Sequence, residues 1–316
     1  TKDLFLDVLR NKACQHSYHP VIDYLATLTW DETPRIDTWL IQSAQALDCP
    51  YTRAVSALVL IAAVRRVRVP GCKFDEMLVL ESASQGQFKS TGIKTMCPDP
   101  DWFSDDLPLG VSTKELIERT SGKWLIEASD LSGMRHAQVE GLKGMLSRQI
   151  DGPVRLAYGR MPVQSPRQFI LIGTTNSYTY LSDYTGNRRF WPMRVTRFDI
   201  DWLSKHRDQL WAEAVTRESQ GESIRLDPSL YTAAAEVQGE RVYDHPWSEA
   251  LAEEYGMRDP GARITPDDIW IFLAVPVERR TAQGSRIIAQ AMQSLKYRRI
   301  SIRTGASVAR GWGRDA

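Results

Sequence analysis

The sequence predicts an α/β protein built on a parallel β-sheet, and two observations favour this class. Short apolar segments, continuous enough to be buried on both faces, alternate with segments that carry apolar residues at helical spacing. Polar or charged residues follow several of the apolar segments directly. Since ligands bind at the carboxyl ends of parallel strands, we expect these polar residues to form a site along one edge of the sheet.

The predicted elements run in a clear order. Residues 1–75 are predicted to form a helical N-terminal region, because HPVIDYLATL and PRIDTWLIQSAQAL carry apolar residues at helical spacing. Residues 76–240 are predicted to form the sheet domain. Its four buried strands are MLVLES, KWLIEASDL, QFILIGTTN and RRFWPMRV. A helix is predicted at STKELIERTSG, with Ser112 or Thr113 as its N-terminal cap, and a second helix at AQVEGLKGMLSRQI. A basic hairpin or loop is predicted at PVRLAYGRMPVQSPR.

Residues 241–316 have a different pattern. WSEALAEEYG, TPDDIWIFLAV and SRIIAQAMQSLKY predict short helices, and RRISIRTGASVARGWGR predicts a basic β-hairpin. Three helices followed by a hairpin are typical of a winged-helix-like domain. Residues 279–314 hold nine basic residues and no acidic one. Such a local excess is found in proteins that contact polyphosphate backbones, although it also fits an ordinary solvated surface.

Composition excludes several classes of protein. The chain has 316 residues, of which 42% are hydrophobic and 25% charged, with a net charge of +1, all within the range of globular proteins. No apolar run approaches the ~20 residues that span a bilayer. The four cysteines are scattered without metal-binding spacing, so we expect reduced thiols in a cytoplasmic protein: Cys14, Cys49, Cys72 and Cys97. Because the sequence does not begin with Met, we expect it to be part of a longer protein.

The segment ESASQGQFKST, residues 81–91, resembles a phosphate-binding loop. Such a loop needs small residues whose backbone N–H groups face phosphates, a lysine for the β- and γ-oxygens and a hydroxyl for Mg²⁺. Lys89 and Ser90 supply the last two. Ala83 and Phe88 stand where glycines are usual, which leaves a chance Lys-Ser pair as the alternative. The other residues expected around a ligand here are Ser84, Gln85, Gly86, Gln87 and Thr91.

Further candidate residues follow the next predicted strands. Glu127 and Asp130 have the character of an acidic pair that holds Mg²⁺ and activates water. Asn176 could orient that water or sense a γ-phosphate. Arg188 or Arg189 could contact the nucleotide of a neighbouring subunit. Each has a structural alternative, namely a surface acid pair, a turn-forming Asn or a solvated arginine pair, but their order along the chain favours one nucleotide site.

The same order of motifs resembles the virulence-associated protein E family of phage and mobile-element P-loop ATPases, which is related to superfamily 3 helicases. The resembling segments are HPVIDYLATLTWDETPRIDTWL, LIAAVRRVRVPGCKFDEMLVLES, DWFSDDLP, SGKWLIEASDLSGMR, YGR, PRQFILIGTTN and TGNRRFWPMRV. The resemblance implies a P-loop NTPase (AAA-like) core, Mg-ATP as cofactor, assembly into a homo-oligomeric ring and a role in replicating mobile DNA. An upstream primase domain or partner would fit the same picture.

The resemblance also implies roles for single residues. Lys89 and Ser90 correspond to the phosphate-loop pair, with Ser90 and Glu127 as magnesium ligands. Glu127 and Asp130 correspond to the acidic motif and Asn176 to the sensor, and Arg188 or Arg189 to the arginine finger. In related helicases a basic hairpin before the sensor strand grips single-stranded DNA. The residues expected in this hairpin are Lys143, Arg148, Arg155, Tyr158, Arg160 and Arg167. The alternatives are structural or intersubunit pairing with acids such as Asp151, or contact of some of these residues with the nucleotide site.

The leading functional prediction is therefore an ATP-dependent DNA helicase or translocase of a phage or mobile element. The main alternative is a DNA-binding replication-initiation module whose degenerate nucleotide site is inert, which Phe88 favours. A third reading is an RNA-directed or defence ATPase. Trp102 and Phe103 are predicted to belong to the core, because aromatic residues dominate cores.

Overall fold

The computed structural model describes residues 2–107, 109–134, 136–155, 161–181, 187–241, 246–259, 261–304 and 307–314. The chain divides into two compact units. The first unit comprises Thr1–Tyr180 and Gly186–Arg241, and the second comprises Leu181–Thr185 and Val242–Ala316. Each unit has a hydrophobic core of its own.

The secondary structure of the first unit alternates helices and strands. Its helices are α1 Lys2–Gln15, α2 Pro20–Thr27, α3 Trp39–Ala44, α4 Pro50–Arg68, α5 Lys89–Thr95, α6 Thr113–Thr120, α7 His136–Leu146, α8 Ile200–Ser219 and α9 Tyr231–Gly239. Its strands are β1 Met77–Glu81, β2 Phe103–Ser104, β3 Leu125–Ala128, β4 Ile150–Val154, β5 Val163–Pro166, β6 Ile170–Thr175 and β7 Phe190–Arg194. The second unit contains α10 Pro246–Tyr255, β8 Arg263–Ile264, α11 Pro266–Phe272, α12 Ala282–Ser294, β9 Arg298–Thr304 and β10 Ser307–Gly313.

The first unit is organised around a parallel sheet of five strands in the order β2-β3-β6-β1-β7. This confirms the predicted α/β class. The four predicted strands are all present. Strand β2 was not predicted, because its two residues are too few to show a periodicity. Because the strands are parallel, the segments after β1, β3, β6 and β7 emerge at one edge, which we call the carboxyl edge.

Helices α2, α3 and α4 of the N-terminal region belong to the core that covers this sheet. All residues of β1, β3 and β6 are buried, as expected for strands that are covered on both faces. Helix α4 is apolar around most of its circumference and is buried along most of its length. Residues of α2, α3 and α4 pack in the same hydrophobic cluster as the strands. Helix α8, in a stretch without sequence predictions, packs against α4.

Two contacts fix α5, the helix that follows β1, against the segment after β7. Gly92 in α5 faces the ring of Phe198, and a Cβ atom on Gly92 would lie 2.7 Å from that ring. The backbone N–H of Phe198 donates to the carbonyl oxygen of Gln87 at 3.0 Å. The loop between β1 and α5 is therefore held from the β7 side.

A buried ionic network secures the carboxyl end of β1. Glu81, the last residue of β1, is fully buried and accepts hydrogen bonds from Arg241 at 2.9 Å and from the Tyr180 hydroxyl at 2.8 Å. The Tyr180 N–H also donates to the Arg241 carbonyl oxygen at 3.1 Å. Burial, reinforced by Glu81, raises the pKa of Tyr180 well above its usual range. The three side chains thus connect the strand before the candidate loop with the last residue of the first unit.

The second unit packs three helices with a three-stranded antiparallel sheet in the order β8-β10-β9. Its core includes Leu251, Trp270, Met292 and Trp312. Thr265 caps α11 in a reciprocal arrangement with Asp268. The helices and the hairpin occur where the sequence predicts them, and the winged-helix assignment itself stays a prediction. Over the described ranges, no helix combines the length and apolarity that crossing a bilayer requires.

Candidate functional site

A pocket of about 370 Å³ lies at the carboxyl edge of the sheet, between the loop after β1 and the ends of β3 and β6. The candidate residues of all three segments line it. They are Gln85, Gly86, Gln87, Lys89, Ser90, Thr91, Glu127, Asp130 and Asn176. Ser84 lies in the same loop, where its carbonyl oxygen accepts a hydrogen bond from Ser82 at 2.9 Å. The structure thus brings these residues together from separate parts of the sequence.

Lys89 occupies the first position of α5 and is 8% exposed. Its ammonium group donates hydrogen bonds to the Ser82 hydroxyl and, at 2.7 Å, to Asn176 Oδ1. Burial lowers the pKa of Lys89, and the nearby charge of Glu127 opposes that shift. Since the hydrogen-bond acceptors of the ammonium are both neutral, its positive charge is available to an anion that enters the pocket.

Glu127 is the buried carboxylate of the pocket and is 1% exposed. Its Oε1 atom accepts hydrogen bonds from the Ser90 hydroxyl at 2.8 Å and the Thr174 hydroxyl at 2.5 Å. Its Oε2 atom is also buried but has no hydrogen-bond partner among the described residues. An unpartnered buried carboxylate oxygen is costly, and so it points to a ligand, an ion or a water at that position.

The residues present fit a magnesium–nucleotide complex. Mg²⁺ is usually held by one or two protein groups together with substrate phosphates and water, and not by a cage of protein ligands. The pair formed by Ser90 and Glu127 meets that requirement. In the described part of the chain, no group of three or more His, Cys, Asp or Glu side chains suited to a metal occurs.

Asp130 also lines the pocket, two residues after the end of β3. It is exposed and has a positive φ of 50°, at the start of the short turn Leu131–Gly133. Gly133 packs closely enough that a Cβ atom there would lie 3.0 Å from Asp130 Oδ2. The turn therefore presents the Asp130 carboxylate beside the end of β3, within the same pocket as Glu127.

Phe88 has a backbone conformation that glycine adopts readily and other residues adopt rarely. Its φ of +57° lies in the left-handed region, and Gly86 also has a positive φ, +75°. For a residue other than glycine, this conformation costs about 1–2 kcal/mol. The ring is 40% exposed and stacks with the guanidinium of Arg197, 4.6 Å from the ring centroid. The substitution therefore leaves the loop in a glycine-like conformation and adds an aromatic side chain to the pocket rim.

Arg188 and Arg189 lie where the strands begin, at the end of the sheet opposite the carboxyl edge. Arg188 and Arg189 precede β7, and the strand register pairs Phe190 with Met77 at the start of β1. They are thus about a full strand length, ~16 Å, from the loop that follows β1. Arg188 is exposed, and Arg189 donates to the Ser147 hydroxyl at 3.1 Å. The structure does not bring this pair into the pocket of its own chain.

Sequence reasoning missed two residues of this site. Thr174 binds Glu127, and the hydroxyl that ends the apolar strand ILIGTT was its only signal in the sequence. Arg197 lies beside the loop because the segment after β7 emerges at the carboxyl edge. A basic residue shortly after a predicted strand could have suggested it.

The basic residues of α7 and of the segment from α7 to β6 have unequal surroundings. Arg167, expected to contact DNA, is buried and forms an ion pair with Asp151 instead. Strands β4 and β5 form an antiparallel hairpin, consistent with the sequence prediction. Lys143 is buried and pairs with Glu140 at 2.9 Å, whereas Arg155 is exposed. The Arg148 side chain is exposed and lies 4.0 Å from Asp151. Tyr158 and Arg160 lie outside the described residues.

The fold and this arrangement of lysine, serine, carboxylate and asparagine around one pocket define the class: an α/β protein with a core of the P-loop NTPase type. The family model of the virulence-associated protein E-like domain matches residues 25–243. The chain therefore belongs to this family, which confirms the resemblance seen in the sequence.

Three of the solved structures that match the chain show one protein region. They are described as apo structures of the NrS-1 C-terminal region, with sequence identities of 12%, 11% and 11%. In each case the match covers 92% of this chain and 78% of the other. The TM-scores are 0.45, 0.43 and 0.48. No curated protein matches the chain.

Proposed function

We propose that the chain is an ATP-dependent motor on DNA, of the helicase or translocase type, in the replication of a phage or mobile element. The observation that carries the ATPase part is the buried Glu127 Oε2 atom beside Lys89 and Ser90, for which the described residues provide no hydrogen-bond partner. Such an arrangement is costly for folding alone, and a bound magnesium–phosphate group would satisfy it.

Each residue of the pocket has a task in this proposal, and Glu127 has two. Lys89 binds the β- and γ-phosphate oxygens, and the backbone of residues 84–88 surrounds the phosphates. Ser90 and Glu127 hold Mg²⁺, which when bound would supply positive charge to the phosphate oxygens. Glu127 and Asp130 orient and deprotonate the attacking water. Asn176 accepts a hydrogen bond from Lys89. It senses a γ-phosphate by exchanging this hydrogen bond for one to the phosphate.

The opposite placement of the arginine pair supports a multi-subunit assembly. Because Arg188 and Arg189 lie at the far edge of their own sheet, either could act only in the pocket of an adjacent copy. An arginine that enters the pocket from a neighbouring subunit stabilises the charge that develops on the transferred phosphoryl group. We therefore propose a homo-oligomeric ring in which each interface completes one site.

DNA contact in this proposal belongs to the β4–β5 hairpin. Arg148 and Arg155 are exposed there, and arginines bind backbone phosphates. Single-stranded DNA is the proposed substrate, as the family resemblance implies for the hairpin before the sensor strand. A cytoplasmic location and an upstream primase domain or partner are parts of the same proposal.

The decisive test measures Mg-ATP hydrolysis with and without single-stranded DNA for the unchanged chain, Lys89→Ala and Lys94→Ala. Lys94 is exposed on the same helix and lies outside the pocket, so it is a matched control. We expect Lys89→Ala to lose at least about 100-fold in rate, as when a group that stabilises transition-state charge is removed. Lys94→Ala should keep its rate.

The same assay separates the alternatives. An undiminished rate in Lys89→Ala would remove the basis for the active-site assignment. If the unchanged chain binds Mg-ATP but does not hydrolyse it with any DNA, the replication-initiation module with an inert site becomes the better description. Stimulation by RNA in place of DNA would favour an RNA-directed ATPase.

A further inference from the structure

One face of the β9–β10 hairpin in the second unit carries a row of positive charge. Arg299, Ser301 and Arg303 alternate along β9, so they share a face of the sheet. Arg310 on β10 lies directly opposite Ser301. All four residues are exposed. Three guanidinium groups therefore lie on one face within about 13 Å along the strand direction.

No acidic side chain offsets this charge in the described part of the molecule. Residues 279–314 contain no acid, and none of the ion pairs between described residues involves Arg299, Arg303 or Arg310. Burial, together with the nearby charge of Arg310, lowers the pKa of Arg299. Since like charges held close together repel, the row is unfavourable for folding alone, and its natural complement is an anionic surface.

The surroundings of the row limit the kind of anion. Trp312 is only 1% exposed, and the Arg299 guanidinium lies 3.8 Å from its ring centroid. The aromatic ring is thus covered, although proteins that hold single strands usually stack exposed aromatics on the bases. On the opposite face, Ile300 and Ile302 pack over Gly313 and Gly311, where a Cβ atom would lie 2.6 Å and 2.2 Å from them.

We propose that this face binds the phosphate backbone of duplex DNA. The arginines lie at intervals along an extended two-stranded ribbon, which can follow a duplex backbone or enter its major groove. A duplex keeps its bases stacked internally and needs no aromatic partner from the protein. The surface uses no residue of the nucleotide pocket, and its function does not depend on ATP binding.

The first test places a negative charge in the centre of the row. Ser301→Glu puts a carboxylate between the three arginines, and Ser301→Gln is its neutral control. Binding of the full 316-residue chain to a fluorescent 30-base-pair duplex, about three helical turns, is measured by anisotropy without nucleotide, from about 50 to 200 mM salt. We expect Ser301→Glu to weaken binding about 10-fold. It should also reduce the salt slope, which is the slope of the logarithm of the binding constant against the logarithm of the salt concentration, by about 1 or more. Ser301→Gln should bind like the unchanged chain.

A second pair of variants separates this surface from overall charge. Arg303→Gln with Arg310→Gln should reduce the salt slope by about 2, since each arginine contributes about 1. Arg53→Gln with Arg119→Gln removes the same charge from exposed positions of the first unit and should change the slope far less. Circular dichroism melting confirms that all variants are folded. An equal reduction of the salt slope in both double variants would overturn the proposal. The proposal would also be overturned if Ser301→Glu weakened binding to single-stranded DNA but not to the duplex.

Discussion

Two basic hairpins, β4–β5 in the first unit and β9–β10 in the second, look alike in the sequence but differ in how their charge is used. At the base of β4–β5, Arg167 is buried and forms two hydrogen bonds to Asp151, at 2.6 and 2.8 Å. On β9–β10, Arg303 and Arg310 are exposed, and neither is ion-paired with any described acid. The difference shows that a count of basic residues does not identify a binding surface until their acidic partners are located.

The largest effect is expected from breaking the buried pair. Asp151→Ala leaves the Arg167 guanidinium in the core without its carboxylate. The expected loss is about 3–5 kcal/mol in the free energy of unfolding, because an uncompensated buried charge is strongly unfavourable. Urea denaturation followed by circular dichroism measures it.

The matched variant removes both charges. Asp151→Leu combined with Arg167→Met leaves no buried ion and should recover much of the lost stability. Arg310→Ala, on the other hairpin, should remain within about 0.5 kcal/mol of the unchanged chain, as surface substitutions usually do. If Asp151→Ala were as mild as Arg310→Ala, the contrast between the hairpins would be wrong.

An intermediate effect is expected on single-stranded DNA. Arg148 and Arg155 are exposed on or beside β4–β5, whereas Lys143 is buried against Glu140. Arg148→Gln with Arg155→Gln should reduce the salt slope of single-strand binding by about 1–2. Fluorescence anisotropy with a labelled oligonucleotide measures the slope. The Arg53 and Arg119 double variant is again the control, and an equal effect there would assign the loss to net charge.

The smallest effect on stability is expected at Arg299, whose guanidinium packs on an aromatic ring. Arg299 covers Trp312, and a cation–π contact at an exposed site contributes about 0.5–1 kcal/mol. Arg299→Ala should therefore lower the free energy of unfolding by about that amount, and Arg310→Ala by less. Thermal melts of the two variants side by side test the difference. Identical melting would show that the stack on Trp312 contributes nothing to stability.

Local sequence pattern predicted most of the fold. Strands such as MLVLE are buried along their whole length, so continuous apolarity revealed them. Strand order depends on how the helices cross the sheet, which no local pattern records. The two-residue β2 is too short for a periodic signal. Helix α8 has an apolar side that becomes clear only once α4 is packed against it.

The candidate site was predictable because its residues follow strands. Glu127 lies near the end of an apolar segment, Asn176 directly follows one, and Lys89 follows the loop after a third. The parallel sheet places all three around one pocket. Thr174 and Arg197 could not be assigned in this way, because their importance depends on contacts across the sheet. The conformation of Phe88 was equally hidden, since a phenylalanine gives no sign of a positive φ.

The Glu81–Arg241 pair has a practical consequence for anyone who divides this chain into parts. Arg241 is the last residue of the first unit, yet its guanidinium compensates a carboxylate at the end of the strand before Lys89. A fragment that stops even one residue earlier would carry an unpaired charge in its interior. The family match extends to residue 243 and keeps this pair intact. The safe place to cut is therefore set by an ion pair to β1, and not by the end of α9 at Gly239.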